Sequence, residues 1–308
     1  PEGVKLAADP MPSAVDSFPV VFEAASDAPI TGKLLDLVAR TESGAIGHWR
    51  NDVELVQGPN NTSYYGTRVV KLLVAVTEAA PFKLRIEPPK VPIVQGGSME
   101  LKVVAERDPG FDEPISVRLV WNPPGVTSQP DITIPKGEYS AFYTLNAKGG
   151  ASLRAWKIAV HGSATVNGGS LWVSSPLAPL EVAEPFLTAK IETTACPPGH
   201  STNIVVKLEQ KIPFEGKATL RLVGLPEKAA VPEKEITCKD TQVVFPLKVD
   251  PTCSTGSHKN LFCTAAIKKA GEVIPHNLGA GGIVRIVPIK KPAAAKAEPK
   301  TVAKNEKQ

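Results

Sequence analysis

The sequence predicts an all-β chain built as tandem β-sandwiches. Three observations predict it: an internal repeat roughly a hundred residues long, side-chain alternation of period two almost throughout, and prolines and glycines that punctuate the apolar runs. A repeat of that length means tandem domains, because solenoid repeats run to roughly 20–50 residues.

The repeat is visible in two segments. Phe111 to Pro124, with Ile-Ser-Val-Arg-Leu-Val-Trp at its centre, returns as Phe214 to Pro226, with Ala-Thr-Leu-Arg-Leu-Val-Gly. Arg118 matches Arg221, and 221 minus 118 is 103. The same offset puts Phe142 on Phe245 and brings Ile132 near Ile236. The boundaries echo each other, Pro81-Phe82 against Pro185-Phe186. A third copy starts halfway through: Pro1-Glu2-Gly3-Val4 reads like Pro226-Glu227-Lys228-Ala229, and Val20 to Glu23 like Val243 to Pro246. The expected organisation is therefore the C-terminal half of a truncated sandwich over 1–80, complete sandwiches over 81–184 and 185–289, and a disordered basic tail over 290–308.

Each strand follows from alternation. Met99, Leu101, Val103 and Ala105 share one face; Ile115, Val117, Leu119 and Trp121 share another. Residues 204–208 and 218–222 repeat the pattern, which puts Leu119 and Leu222 into two cores. In the first 80 residues the strand signals fall near Phe18–Glu23, Lys33–Arg40, His48–Gln57 and Arg68–Thr77. The breaks are Asn-Pro-Pro-Gly, Pro-Lys-Gly-Glu and Lys-Ala-Gly-Glu, where Gly reaches positive φ and Pro presets φ and lacks a donor. No segment carries a helical period. About seven short strands in about a hundred residues is the pattern of a β-sandwich.

Composition narrows the function. The 308 residues are 42% hydrophobic and 21% charged, ordinary for globular protein. The net charge of +4 equals that of the tail, where six lysines and two glutamates follow Ile289, so the body is neutral overall. A nucleic-acid partner calls for a basic folded face with aromatics among the cations, and no such run is present. No apolar run approaches the ~20 residues that a membrane-spanning helix needs. Gly-x-Ser-x-Gly, His-Glu-x-x-His and the phosphate-binding glycine loop are absent from the sequence, and neither catalytic nor cofactor-binding nor metal residues are assigned. Gly279-Ala-Gly281-Gly282 leads into a strand and is expected at a hairpin tip. His48, His161 and His276 sit singly beside turns or strand ends and are expected at the surface.

With these strands in place, the chain resembles immunoglobulin-like and fibronectin III-like modules of large exported bacterial proteins. Pro81-Phe-Lys-Leu-Arg-Ile-Glu-Pro-Pro-Lys-Val-Pro-Ile-Val-Gln-Gly-Gly-Ser-Met-Glu-Leu-Lys and Leu55-Val-Gln-Gly-Pro-Asn-Asn-Thr-Ser-Tyr-Tyr carry the resemblance. Some such proteins also hold pre-peptidase C-terminal-type domains. The resemblance implies an extracellular, envelope or periplasmic setting and brings no catalytic residues. It places Trp121 where immunoglobulin domains often have a core Trp, although Gly224 stands at the matching position.

All four cysteines, Cys196, Cys238, Cys253 and Cys263, fall in the last repeat. In an immunoglobulin-like topology the loops holding Cys196 and Cys253 lie at one end, which permits a Cys196–Cys253 disulfide in an oxidising compartment. Four cysteines allow three full pairings, so free thiols remain open. The same loops hold His200 and His258, a superficial zinc set without zinc-finger spacing.

The remaining candidates are aromatic. Trp49, Tyr64, Tyr65 and Trp172 lie near loops or late strands. Such rings stack on sugars when exposed, or close core rims and inter-module joints, the commoner role for strand aromatics. The expected function is a non-catalytic structural or adhesion segment, a spacer or interaction scaffold, whose partners are neighbouring modules and cell-surface polysaccharide or protein. The alternative is a carbohydrate- or protein-binding accessory region of a secreted enzyme.

Overall fold

The structure is a computed structural model and describes residues 1–13 and 15–288. The tail expected to be disordered lies outside the described residues. Among those residues the chain is all-β save for one 3₁₀ turn at Pro59–Asn61. It divides into two compact units that meet in sequence at Glu184 and Pro185.

The first unit opens with eight strands: β1 (Val4–Ala8), β2 (Val20–Ala24), β3 (Gly32–Leu35), β4 (Val38–Arg40), β5 (Ile46–His48), β6 (Asn51–Gln57), β7 (Ser63–Val69) and β8 (Leu72–Ala75). They pair in twos, β1 with β2, β3 with β8, β4 with β5 and β6 with β7. Two-stranded ribbons have no second layer to cover them. Val21 is the buried hydrophobic residue of this stretch, while Ile30, Leu34 and Leu73 stand 59–70% exposed. Val20 is 37% exposed, and Phe22, Leu35 and Leu37 are half-buried.

The rest of the unit is a sandwich of β9 (Phe82–Ile86), β10 (Ile93–Val94), β11 (Ser98–Arg107), β12 (Ile115–Leu119), β13 (Val126–Ser128), β14 (Ile132–Ile134), β15 (Ser140–Ala147), β16 (Arg154–Ile158), β17 (Val160–Val166), β18 (Gly169–Ser174) and β19 (Ala178–Ala183). One layer has the order β13-β15-β11-β9. The other comprises two sheets, β14-β12-β17-β18 and β10-β19-β16. Leu101, Val103, Ile115, Val117, Ile134, Tyr143, Leu145 and Leu180 form the core between them. Trp121 sits at the rim, its ring 5.7 Å edge-on to that of Trp156, and Trp156 on β16 is the buried indole. Trp121, just past β12, packs partly buried against the core.

The second unit holds β20 (Leu187–Ile191), β21 (Thr194–Cys196), β22 (Ser201–Gln210), β23 (Ala218–Val223), β24 (Ala229–Ala230), β25 (Lys234–Ile236), β26 (Gln242–Val249), β27 (Gly256–Lys269) and β28 (Glu272–Ile286). Its layers are β20-β22-β26-β24 and β21-β28-β27-β23-β25. In each sandwich a short second strand, β10 or β21, leaves the first layer and pairs in parallel with the last strand. That crossing gives both an immunoglobulin-like topology.

Strand for strand the sandwiches correspond, with one correction to the expected register. Leu101 pairs with Tyr143 and Ile204 with Phe245, so Tyr143 and Phe245 are equivalent, and 245 minus 143 is 102. Ile134 likewise matches Ile236 through their partners Ile115 and Ala218. The second copy is one residue shorter between β24 and β25. A one-residue shift puts the side chains of β25 and β26 on the face opposite to the one that an offset of 103 assigns them, until the offset returns to 103 in β27. Phe142 accordingly points outward, 59% exposed, while Phe245 is fully buried. Leu119 and Leu222 do point into their cores, each 6% exposed.

The two copies bend their last strand by different means. In the first, Ser175 and Pro176 interrupt it, and the Ser175 hydroxyl accepts from Val160 N at 3.1 Å. In the second, Gly279 to Gly282 lie inside β28, not at a hairpin tip; the tip is Ala270-Gly271, both at positive φ. Gly279 and Gly282 are there because β20 crosses closely: a Cβ on Gly282 would lie 2.8 Å from Ile191 Cβ.

One turn occurs three times. Val4 N bonds Pro1 O, Val126 N bonds Pro123 O, and Ala229 N bonds Pro226 O. The preceding residues, Gly3, Gly125 and Lys228, all have left-handed φ of 63–80°. Each offers its carbonyl to the residue just after a facing strand: Ala25, Lys148 and Asp250. Gly125 has the closest neighbour, for a Cβ there would sit 2.5 Å from Ala151 Cα.

Candidate functional site

The four candidate aromatics do not converge on one site. Trp49 follows β5, half-buried, with its N bonded to Leu37 O at 2.8 Å. Tyr64 and Tyr65 are 67% and 64% exposed on β7, and the Tyr64 ring covers the backbone of Gly58. Trp172 belongs to a different sheet and is 59% exposed on the edge strand β18.

Around Trp172 the pleat lines up two outward rows across four strands. Ser116 pairs with Thr133 on one side and with Ser163 on the other, and Ser163 pairs with Trp172. The next row has Arg118 opposite His161, and His161 opposite Ser174. Arg118 Nη2 reaches Asp131 at 3.7 Å and closes that row. The His161 ring lies 5.1 Å from the Trp172 ring. Burial and the Arg118 charge both pull the His161 pKa down, which keeps the imidazole neutral at pH 7. Its Nε2 is buried without a partner. Thr165 and Ser170, themselves paired, extend the hydroxyl surface past Trp172. Among the described residues no hydroxyl of Ser116, Thr133, Ser163, Thr165, Ser170 or Ser174 bonds to the protein.

The second sandwich supplies the comparison. His161 faces Arg118 as Thr264 faces Arg221, and Ser163, Trp172 and Ser174 correspond to Ala266, Pro275 and Asn277. The ion pair is kept, with Arg221 Nε donating to Glu233 at 2.8 Å. The aromatic and most of the hydroxyl surface are not.

A second feature escaped sequence reasoning. Residues 9–13 and 15–17 cross one end of the first sandwich. Asp9 accepts from Arg154 Nη2 at 2.8 Å, Trp121 Nε1 donates to Ser17 Oγ at 3.2 Å, and Val15 packs on the core. A shallow pocket of about 510 Å³ remains between this crossing and Trp121, Asn122 and Pro124. Sequence alternation carries no signal for such a crossing, since residues 9–13 and 15–17 are not in strands.

All four cysteines are free thiols. Cys196 lies buried 3.5 Å from Pro197 O, and Cys253 Sγ approaches Glu227 O at 3.2 Å. Their loops meet at one end, where a Cβ on Gly199 would touch Pro251 at 3.3 Å. Burial raises the Cys196 pKa and pushes Cys263 up to about 12. Among the described residues no group of three or more His, Cys, Asp or Glu side chains is placed to hold a metal. His200 bonds Pro198 O at 3.0 Å, and His258 Nε2 is buried without a partner. His48 pairs with Asp36 at 2.9 Å on the surface. His276 is only 2% exposed, contrary to expectation, because it alternates with Ile274 and Leu278 on the inward side of β28.

No family model matches the chain, and no curated protein matches it in sequence. Many solved structures are similar to it. A protein of unknown function from Porphyromonas gingivalis W83 is 10% identical at a TM-score of 0.25, over 67% of this chain and 100% of that one. The D0-D1 domain of intimin is 12% identical at 0.23, over 64% and 96%. The fibronectin(III)-like modules of Clostridium thermocellum CbhA are 10% identical at 0.25, over 70% and 100%. At these scores the likenesses add nothing to the fold already described. No helix among the described residues is long and apolar enough to cross a membrane.

Proposed function

We propose that the chain is a non-catalytic interaction scaffold, a tandem of immunoglobulin-like sandwiches within an exported bacterial protein. The observation that carries this reading is the contrast between the two copies. Core, turn and ion pair are retained at Leu119/Leu222, Gly125/Lys228 and Arg118/Arg221, whereas the outward sheet face differs at Trp172/Pro275. Retained cores serve folding, and a face that changes on a fixed scaffold is where specificity resides. The first sandwich then supplies the contact surface, and the second acts as spacer and support. Export carries one further expectation, a Cys196–Cys253 bridge between loops that already meet.

The test is co-sedimentation of the full chain with isolated bacterial envelopes. The wild-type chain sediments with them, and Trp172→Ala stays in the supernatant at unchanged thermal stability. Equal sedimentation of both would remove Trp172 from the contact surface.

A further inference from the structure

We infer that the outward face of the sheet β14-β12-β17-β18 is a binding site for a neutral glycan, with Trp172 stacking on one pyranose ring and the neighbouring hydroxyls bonding the next. This rests on the scaffold reading and names the ligand class for its contact face.

Three features select the ligand. The first is the indole itself: it lies on an edge strand, 59% exposed, with no strand beyond it. Its negative π-face attracts the weakly positive C–H groups that cover one side of a pyranose ring. The second is the row Thr133–Ser116–Ser163–Trp172, which crosses four strands. Three inter-strand steps span about 14 Å, room for a short run of sugars. Hydroxyls both donate and accept, which matches the groups of a glycan.

The third feature is charge. Arg118 is closed by Asp131, and His161 is neutral, so the face offers no net charge to an anionic polymer. A protein partner fits poorly as well. Protein interfaces have an apolar core, and Trp172 is the one large apolar side chain in these two rows. The second sandwich, with Pro275 and Ala266 at the corresponding places, lacks both the stacking ring and the matching hydroxyl.

The experiment is calorimetric titration of the full chain with cellohexaose, chitohexaose and mannohexaose, with heparin as the polyanion. At least one neutral hexasaccharide binds. Trp172→Ala weakens that binding at least tenfold without moving the thermal midpoint, Ser163→Val weakens it several-fold, and Pro275→Ala leaves it unchanged. Binding that survives Trp172→Ala, or heparin binding in place of the neutral sugars, overturns the inference. If no neutral hexasaccharide binds, yet Trp172→Ala still abolishes envelope sedimentation, the glycan assignment falls and the scaffold reading stands.

Discussion

Tyr143 and Phe245 fill the same core position in the two sandwiches, opposite Leu101 and Ile204 respectively. Only Tyr143 carries a hydroxyl, and it has three partners: it donates to Gln129 O at 2.6 Å, with Pro130 O at 3.2 Å as a second acceptor, and accepts from Leu119 N at 3.3 Å. The bonds tie the loop after β13 to the end of β12. Tyr143→Phe removes the partner and leaves a buried N–H and a carbonyl short of a bond, at a cost of about 1–3 kcal/mol. Urea unfolding of the wild-type and variant chains measures it. A loss below about 0.5 kcal/mol means that water replaces the phenol.

Leu222 is the core residue of the Arg-Leu-Val repeat, paired with Cys263 and 6% exposed. Leu222→Ala is expected to cost roughly 2–5 kcal/mol, the range for emptying a packed leucine site. The loss appears in the transition of the second sandwich. A change under about 1 kcal/mol contradicts the packing described.

His276 makes the second sandwich sensitive to pH. Burial lowers its pKa from 6.5 to about 4. The unfolded chain therefore binds the proton first, and stability falls as pH drops from about 6.5 toward 4, then levels for this group. The full difference is roughly 3 kcal/mol, from about 1.4 kcal/mol per pH unit. The slope between pH 6.5 and 5, above the titration of the carboxylates, is the readout. His276→Leu should flatten it; an unchanged slope assigns it to another group.

The thiols should respond in order of burial. Cys238 is half-exposed, while Cys263 is fully buried in β27 with its pKa raised to about 12. A thiol reagent at neutral pH labels Cys238 first and Cys263 only on global unfolding. Peptide mapping after mild oxidation should recover the Cys196–Cys253 pair. Closing that loop, with 253 minus 196 giving 57 residues, stabilises the domain by roughly 4 kcal/mol in the chain-entropy model. A map with Cys196 or Cys253 joined to Cys238 removes the bridge.

Much of the fold was legible because a sandwich face is written in alternation. Ile115, Val117 and Leu119 announce the inward side of β12 with no knowledge of its partners. Register across a shortened loop was not legible: nothing in the residues after β24 marks the deletion that pairs Phe245 with Tyr143 rather than Phe142. Nor was the role of Gly279 and Gly282, because their absent side chains answer to Ile191, far away in sequence. Trp172 was legible as a candidate, but its setting was not. Ser116, Thr133, Ser163 and His161 come from three strands, and only their pairing brings them into rows beside the indole.

The most direct test of the central claim, one scaffold used twice with one face specialised, is the indole N–H spectrum of the full chain labelled with ¹⁵N-tryptophan. Trp49, Trp121, Trp156 and Trp172 give four signals, and Trp172→Phe identifies the one that matters. Titration with the neutral hexasaccharide that binds should shift the Trp172 signal. The Trp156 signal, whose Nε1 is donated to Ser152 O at 3.0 Å within the core, should stay in place. A titration that leaves Trp172 unmoved while Trp49 or Trp121 shifts would contradict the account.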